Sequence, residues 1–122
     1  MSPFKDGWTK EQVEEIVRRD DPNEVLYVPV VVTMDPPDYE WSESICIQLA
    51  DHAHFNVRGN AILGFGHLAR IFSVASDQAR RLVWKALQDE HQDVRGHAED
   101  ARDDIELFTK TKLTEQDVPP DA

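Results

Sequence analysis

The sequence predicts an all-α fold, a short α-solenoid of about five or six helices, and two observations carry that prediction. The first is an internal repeat. Val57-Arg58-Gly59-Asn60-Ala61 returns as Val94-Arg95-Gly96-His97-Ala98, 37 positions further on. Self-similarity at a period of roughly 20–50 residues is the mark of a repeat architecture. Each copy follows an apolar segment that ends in an aspartate, Leu49-Ala50-Asp51 and Leu87-Gln88-Asp89. The second observation is helical hydrophobic spacing on both sides of each copy, so the unit reads helix, short loop, helix. Such units stack on one another and present a surface to a partner instead of enclosing a substrate.

The first helix starts at a capping box, Thr9 with Gln12, with Trp8 and Val13 placed as a hydrophobic staple. Val13, Ile16 and Val17 share one face of it, and Asp20-Asp21-Pro22-Asn23 ends it. Residues 25–34 (VLYVPVVVTM) give conflicting signals. The β-branched residues favour a strand and Pro29 opposes a helix interior, yet Asp21-Pro22 is a helix start. A lone strand has no partner in a helical stack. The reading is a short apolar helix broken or kinked near Pro29, with a short extended segment at 25–34 as the alternative. Asp35-Pro36-Pro37-Asp38 is a break.

Four further helices are expected. Trp41 to His52 carries Ile45, Gln48, Leu49 and His52 at helical spacing, and Asn56 to Phe72 starts at an asparagine cap. Asp77 to Glu90 aligns Ala79, Leu82, Val83, Ala86 and Leu87, and Asp93 to Lys110 starts at an aspartate cap. In the Asn56 helix the apolar positions Val57, Ala61, Gly64, Leu68 and Ile71, widened by Ile62, Phe65, Ala69 and Phe72, cover about half the circumference. A helix that apolar is central. Gly64 and Gly66 within it read as sites of close helix–helix approach. The Asp93 helix has only the narrow stripe of Val94, Ala98, Ala101, Ile105 and Phe108, so it closes the stack.

A chain of 122 residues makes one domain, read as 1–110 with 111–122 a flexible acidic tail. Thirteen basic residues against 24 acidic ones leave a net charge of −11. That balance excludes direct binding to nucleic acid, whose affinity comes from Lys and Arg on phosphates, and it suits a basic protein partner. Cys46 is the only cysteine. It permits no intrachain disulfide and no thiolate metal cluster. No apolar run approaches the roughly 20 residues that span a bilayer. The start of the chain lacks the apolar core of a signal peptide, so the expectation is a cytoplasmic protein, monomeric when free, with no membrane partner.

No nucleophile constellation, glycine-rich phosphate loop or His-Glu-x-x-His is present. His97, Asp100 and Asp104 share a flank of the last helix and could in principle ligate a metal. The reading adopted is a partly exposed histidine beside a solvated acidic face, with no cofactor. His52 and His54 are assigned an interhelical polar role. Arg58 and Arg95 occupy one repeat position and Asp51 and Asp89 another, so each arginine is expected to pair with its loop aspartate. The candidate partner-binding surface is the acidic wall formed by Asp89, Glu90, Asp93, Glu99, Asp100, Asp103, Asp104 and Glu106. Its like-charge pairs four residues apart cost a few tenths of a kcal/mol each.

The pattern Leu-x-Asp, loop, Val-Arg-x-x-Ala, apolar helix resembles HEAT repeats over residues 41–110, most closely in LVWKALQDEHQDVRGHAEDA. The first unit's loop, counted from His52 to Asn56, is one residue longer, and the usual proline bend of the first helix is absent. VRGNAILGFGHLARIF followed by AEDARDDIELF is similar to small HEAT-like bacterial immunity proteins of polymorphic and contact-dependent growth inhibition toxin systems. That resemblance implies a stoichiometric inhibitor of a cognate toxin, often a basic nuclease. HEAT-like hydroxylases carry adjacent His-Glu pairs, and none occurs here, so no enzyme is expected. A generic HEAT-repeat scaffold or regulatory subunit is the alternative.

Overall fold

The computed structural model describes residues 3–4 and 6–114. Among these the regular structure is entirely helical: α1 (Lys10–Arg19), α2 (Pro22–Val25), α3 (Val28–Met34), α4 (Tyr39–Leu49), α5 (Phe55–Phe72), α6 (Asp77–Ala86) and α7 (Gln92–Thr109). Six of these have seven residues or more and α2 is a single turn, in keeping with the expected all-α class.

Local chemistry sets the ends. Thr9 and Gln12 close the capping box of α1, and Asp20 ends that helix in the left-handed conformation. Asp21 caps α2, with Pro22 in its first turn. The chain then turns at Leu26-Tyr27 and starts again as α3, with Pro29 in the first turn of the new helix. A proline there forfeits nothing, because a first-turn N–H has no intrahelical acceptor. Residues 25–34 are therefore helix, turn and helix, with no extended segment, and the break precedes Pro29. α3 buries Val28, Val32 and Thr33.

Asp38 caps α4, which begins at Tyr39, two residues ahead of the expected start at Trp41. This helix ends at Leu49, short of His52, and buries Ser42, Glu43, Ile45, Cys46 and Leu49. The Cys46 thiol is fully buried, which raises its pKa, and Glu43 nearby raises it further.

α5 is the centre of the molecule and packs against α3, α4, α6 and α7. Its glycines mark where neighbours come closest. A Cβ on Gly64 would lie 2.8 Å from Cys46 Sγ and 3.0 Å from Thr33 Cγ2, and one on Gly66 would lie 2.9 Å from the backbone of Ala101. Each glycine costs roughly 1 kcal/mol in helix propensity, which the close packing offsets. α3 and α7 both run parallel to α5. Asn60 donates to the Leu26 carbonyl and His67 meets Thr33 on one side. On the other, Gly59 faces Val94 and His97 while Gly66 faces Ala101 and Asp104. At its C-terminal end α5 outruns α3, and Ile71 and Phe72 are exposed.

The caps of α5 and α7 differ from expectation in the same way. His54 and His91 cap them, each accepting through Nδ1 from the backbone N–H two residues on, Asn56 at 3.2 Å and Asp93 at 3.1 Å. Asn56 and Asp93 lie inside the first turn and supply that N–H. Beyond α7 the chain stays docked. Arg80 is 7% exposed and donates to the carbonyls of Thr111 and Lys112. Leu113 is buried, its N–H donating to Glu106 at 2.9 Å. The packed domain therefore runs past residue 110, and the rest of the tail, 115–122, lies outside the described residues.

Candidate functional site

Two polar features stand out: the edge formed by the inter-helix loops, and the outer face of α7. At the loop edge Arg58 donates from Nε and Nη2 to both oxygens of Asp89, at 2.7 and 2.9 Å. Its Nη1 holds the carbonyls of His52 and Ala53. Arg95 repeats only the second half, donating from Nη1 to the Asp89 carbonyl at 2.7 Å. Each arginine thus closes its own loop through a carbonyl six residues back. Arg58 takes its carboxylate from the following unit, and Asp51 pairs instead with Lys85 at 2.9 Å.

The residue equivalent to Asp89 is therefore His52, not Asp51. Asp89 Oδ1 accepts from the His91 N–H, and His52 Nδ1 accepts from the His54 N–H. The two loops have equal length once this is recognised. His52 Nε2 donates to Asp20 at 2.6 Å, tying the loop between α4 and α5 to the end of α1. Phe55 lies between the rings of His54 and His91, stacked on the latter with centroids 3.7 Å apart. The ion pair acts on both partners: the hydrogen bond from Arg58 holds the Asp89 carboxyl below the usual range, and Asp89 raises Arg58.

The acidic wall divides into two sets. Asp89, Asp104 and Glu106 are committed internally, to Arg58, to Arg70 at 3.0 Å and to the Leu113 N–H. Glu90, Asp93, Glu99, Asp100 and Asp103 are exposed. Asp103 has Arg102 at 3.4 Å, a loose surface pair. Asp93, Glu99 and Asp100 line an open, shallow depression with Gln92, Gly96 and His97. Glu90 stands apart in the loop before α7. No group of three His, Cys, Asp or Glu side chains among the described residues is placed to hold a metal ion. The His97 ring packs over Gly59.

Comparison with family models, with curated proteins and with solved structures finds no match. The site must be read from its own chemistry.

Two further groups escaped the sequence reading. Thr33 Oγ1 donates to the Pro29 carbonyl at 2.6 Å, so it accepts from His67 Nδ1 at 3.0 Å. Burial lowers the pKa of His67, with Arg70 the next cause. Tyr39 donates to the buried Glu43 and accepts from the Ser76 N–H, joining α4 to the start of α6. Both are structural links between helices. A signal for the histidine caps was present in the sequence: a histidine stands three residues before Val57 and Val94 alike.

Proposed function

We propose that the chain is a non-enzymatic protein-binding module, an immunity protein that sequesters a basic bacterial toxin in the cytoplasm. The observation that carries this reading is the outer face of α7. Glu99, Asp100 and Asp103 are exposed on the helix opposite its buried stripe of Val94, Ala98, Ala101 and Ile105, and no later helix among the described residues covers them. Like charges that close repel one another, and a basic partner relieves that repulsion on binding. The net charge of −11 acts in the same sense at longer range. Support also comes from the HEAT-like pattern of residues 41–110, whose repeat recurs as matched caps and matched arginine–carbonyl bonds. A generic scaffold has less reason to concentrate exposed carboxylates on its terminal helix.

Complementary charge across an interface mainly speeds encounter and excludes wrong partners. The test is the Asp100→Lys/Asp103→Lys double variant. It should slow association with the product of a neighbouring toxin gene and flatten the salt dependence of the rate, with an unchanged circular dichroism spectrum. An unaltered rate and salt dependence would remove the α7 face from the interface. The absence of any adjacent gene for a larger basic protein would speak for the scaffold instead.

A further inference from the structure

The outer face of α7 keeps a glycine that a closing helix does not need, and beside it an arginine that gives one branch, Nη1, to its own loop. In α5 the first turns prepare the seat of α7. Gly59 lets the His97 ring approach so closely that a Cβ would lie 2.8 Å from its Cδ2, and Arg58 reaches the carboxylate of the loop leading into α7. The repeat places Gly96 and Arg95 at the same positions on α7. Among the described residues, and leaving aside the adjacent residues and the backbone of α7 itself, nothing lies within 4 Å of where a Gly96 Cβ would be. Arg95 holds the Asp89 carbonyl and, among the described residues, meets no carboxylate. A helix that only shields the end of a stack has no use for an interior glycine open to water, because alanine or glutamate there would stabilise it.

Resting on the reading that this face binds a basic protein, we infer that the partner contributes a helix laid parallel to α7, in the place a next repeat would take. That helix approaches closely at Gly96, sets Lys or Arg against Glu99, Asp100 and Asp103, and brings a carboxylate just ahead of its first turn to Arg95. Charge decides the occupant. Positions that are Ile62, Leu63 and Gly66 on α5 become Glu99, Asp100 and Asp103 on α7, so an apolar helix is refused and a cationic one accepted. A second copy of the chain, itself at −11, is repelled.

The probe is a labelled synthetic helical peptide with lysines along one face and an aspartate just before its first turn, titrated with the full chain and followed by fluorescence anisotropy. Saturable binding is expected. Gly96→Leu, which adds bulk on an open surface and leaves the fold intact, should weaken it about tenfold or more. Exchanging the peptide aspartate for asparagine should weaken binding to the native chain and not to Arg95→Gln, the mark of a direct pair. If Gly96→Leu binds as well as the native chain while Asp100→Lys/Asp103→Lys does not, the face attracts cations without helical register; the inference falls and the functional reading stands. If neither variant changes binding, or the peptide does not bind, both fall. Self-association of the chain alone would seat a second copy on α7 and overturn the inference.

Discussion

Asp89 does three jobs from one loop position. Its carboxylate receives both branches of Arg58, the same carboxylate accepts from the His91 N–H, and its carbonyl holds Arg95. The pair is largely sheltered, each side chain 14% exposed. Asp89→Ala should therefore cost about 1.5–3 kcal/mol, the range for hydrogen bonds to charged groups, measured by urea denaturation. Acid should act on the same bond. A carboxyl with a lowered pKa stabilises the fold fully above its unfolded value, roughly 3.9, and the contribution disappears as pH falls through the folded value. His67 adds a second pH-dependent loss at higher pH. Burial lowers its pKa, so folding favours the neutral ring; stability is complete above roughly pH 6.5 and declines below it as the unfolded chain takes the proton. His67→Gln should remove that upper slope and leave the carboxylate slope in place. The histidine caps were passed over, although the repeat carried their signal, because capping preferences rank Ser, Thr, Asp and Asn and an imidazole Nδ1 performs the same task. His91→Ala should cost about 0.5–2 kcal/mol and His91→Asp far less.

Among the elements, α5 was the most legible, because an apolar arc over half its circumference admits only a central position. What the arc could not tell is where neighbours end. α3 stops at Met34 and the last turn of α5 runs on, so Ile71 and Phe72 stay exposed although their spacing fits the stripe. At residues 25–34 composition, proline and capping signals disagreed locally; the broken helix that the sequence favoured is what forms, and the turn at Leu26-Tyr27 reconciles the signals by putting Pro29 at a helix start. The glycines give a paired prediction. Gly66→Ala drives a methyl against the Ala101 backbone and should destabilise by about 1–3 kcal/mol, as overpacking does. Gly96→Ala, in open space, should stabilise by roughly 0.5–1 kcal/mol. Thermal melts of the two variants should shift in opposite directions. Equal shifts would mean that α5 and α7 are not in close contact.

For the molecule as a whole, the all-α class followed from the repeat and the 3.6-residue spacing, and the candidate surface from charge. The division of that surface into committed and free carboxylates did not, since it depends on which helices the arginines of other elements reach. The core should behave as one body. Leu68 is 1% exposed, and Leu68→Ala should cost about 2–5 kcal/mol in a single cooperative transition. Arg58 gives that unity a kinetic form. It grips the carbonyls of its own loop and the carboxylate of the next, so α6 and α7 cannot peel away without pulling the Asp89 carboxylate off a guanidinium that its own loop holds in place. Amide protons of α5 and α7 should then exchange with solvent through the same global opening. In Arg58→Gln they should separate into two classes, the α7 amides exchanging through a smaller opening while α5 remains protected. The side chain that closes a loop in the native state is thus the one that forbids a half-unfolded intermediate.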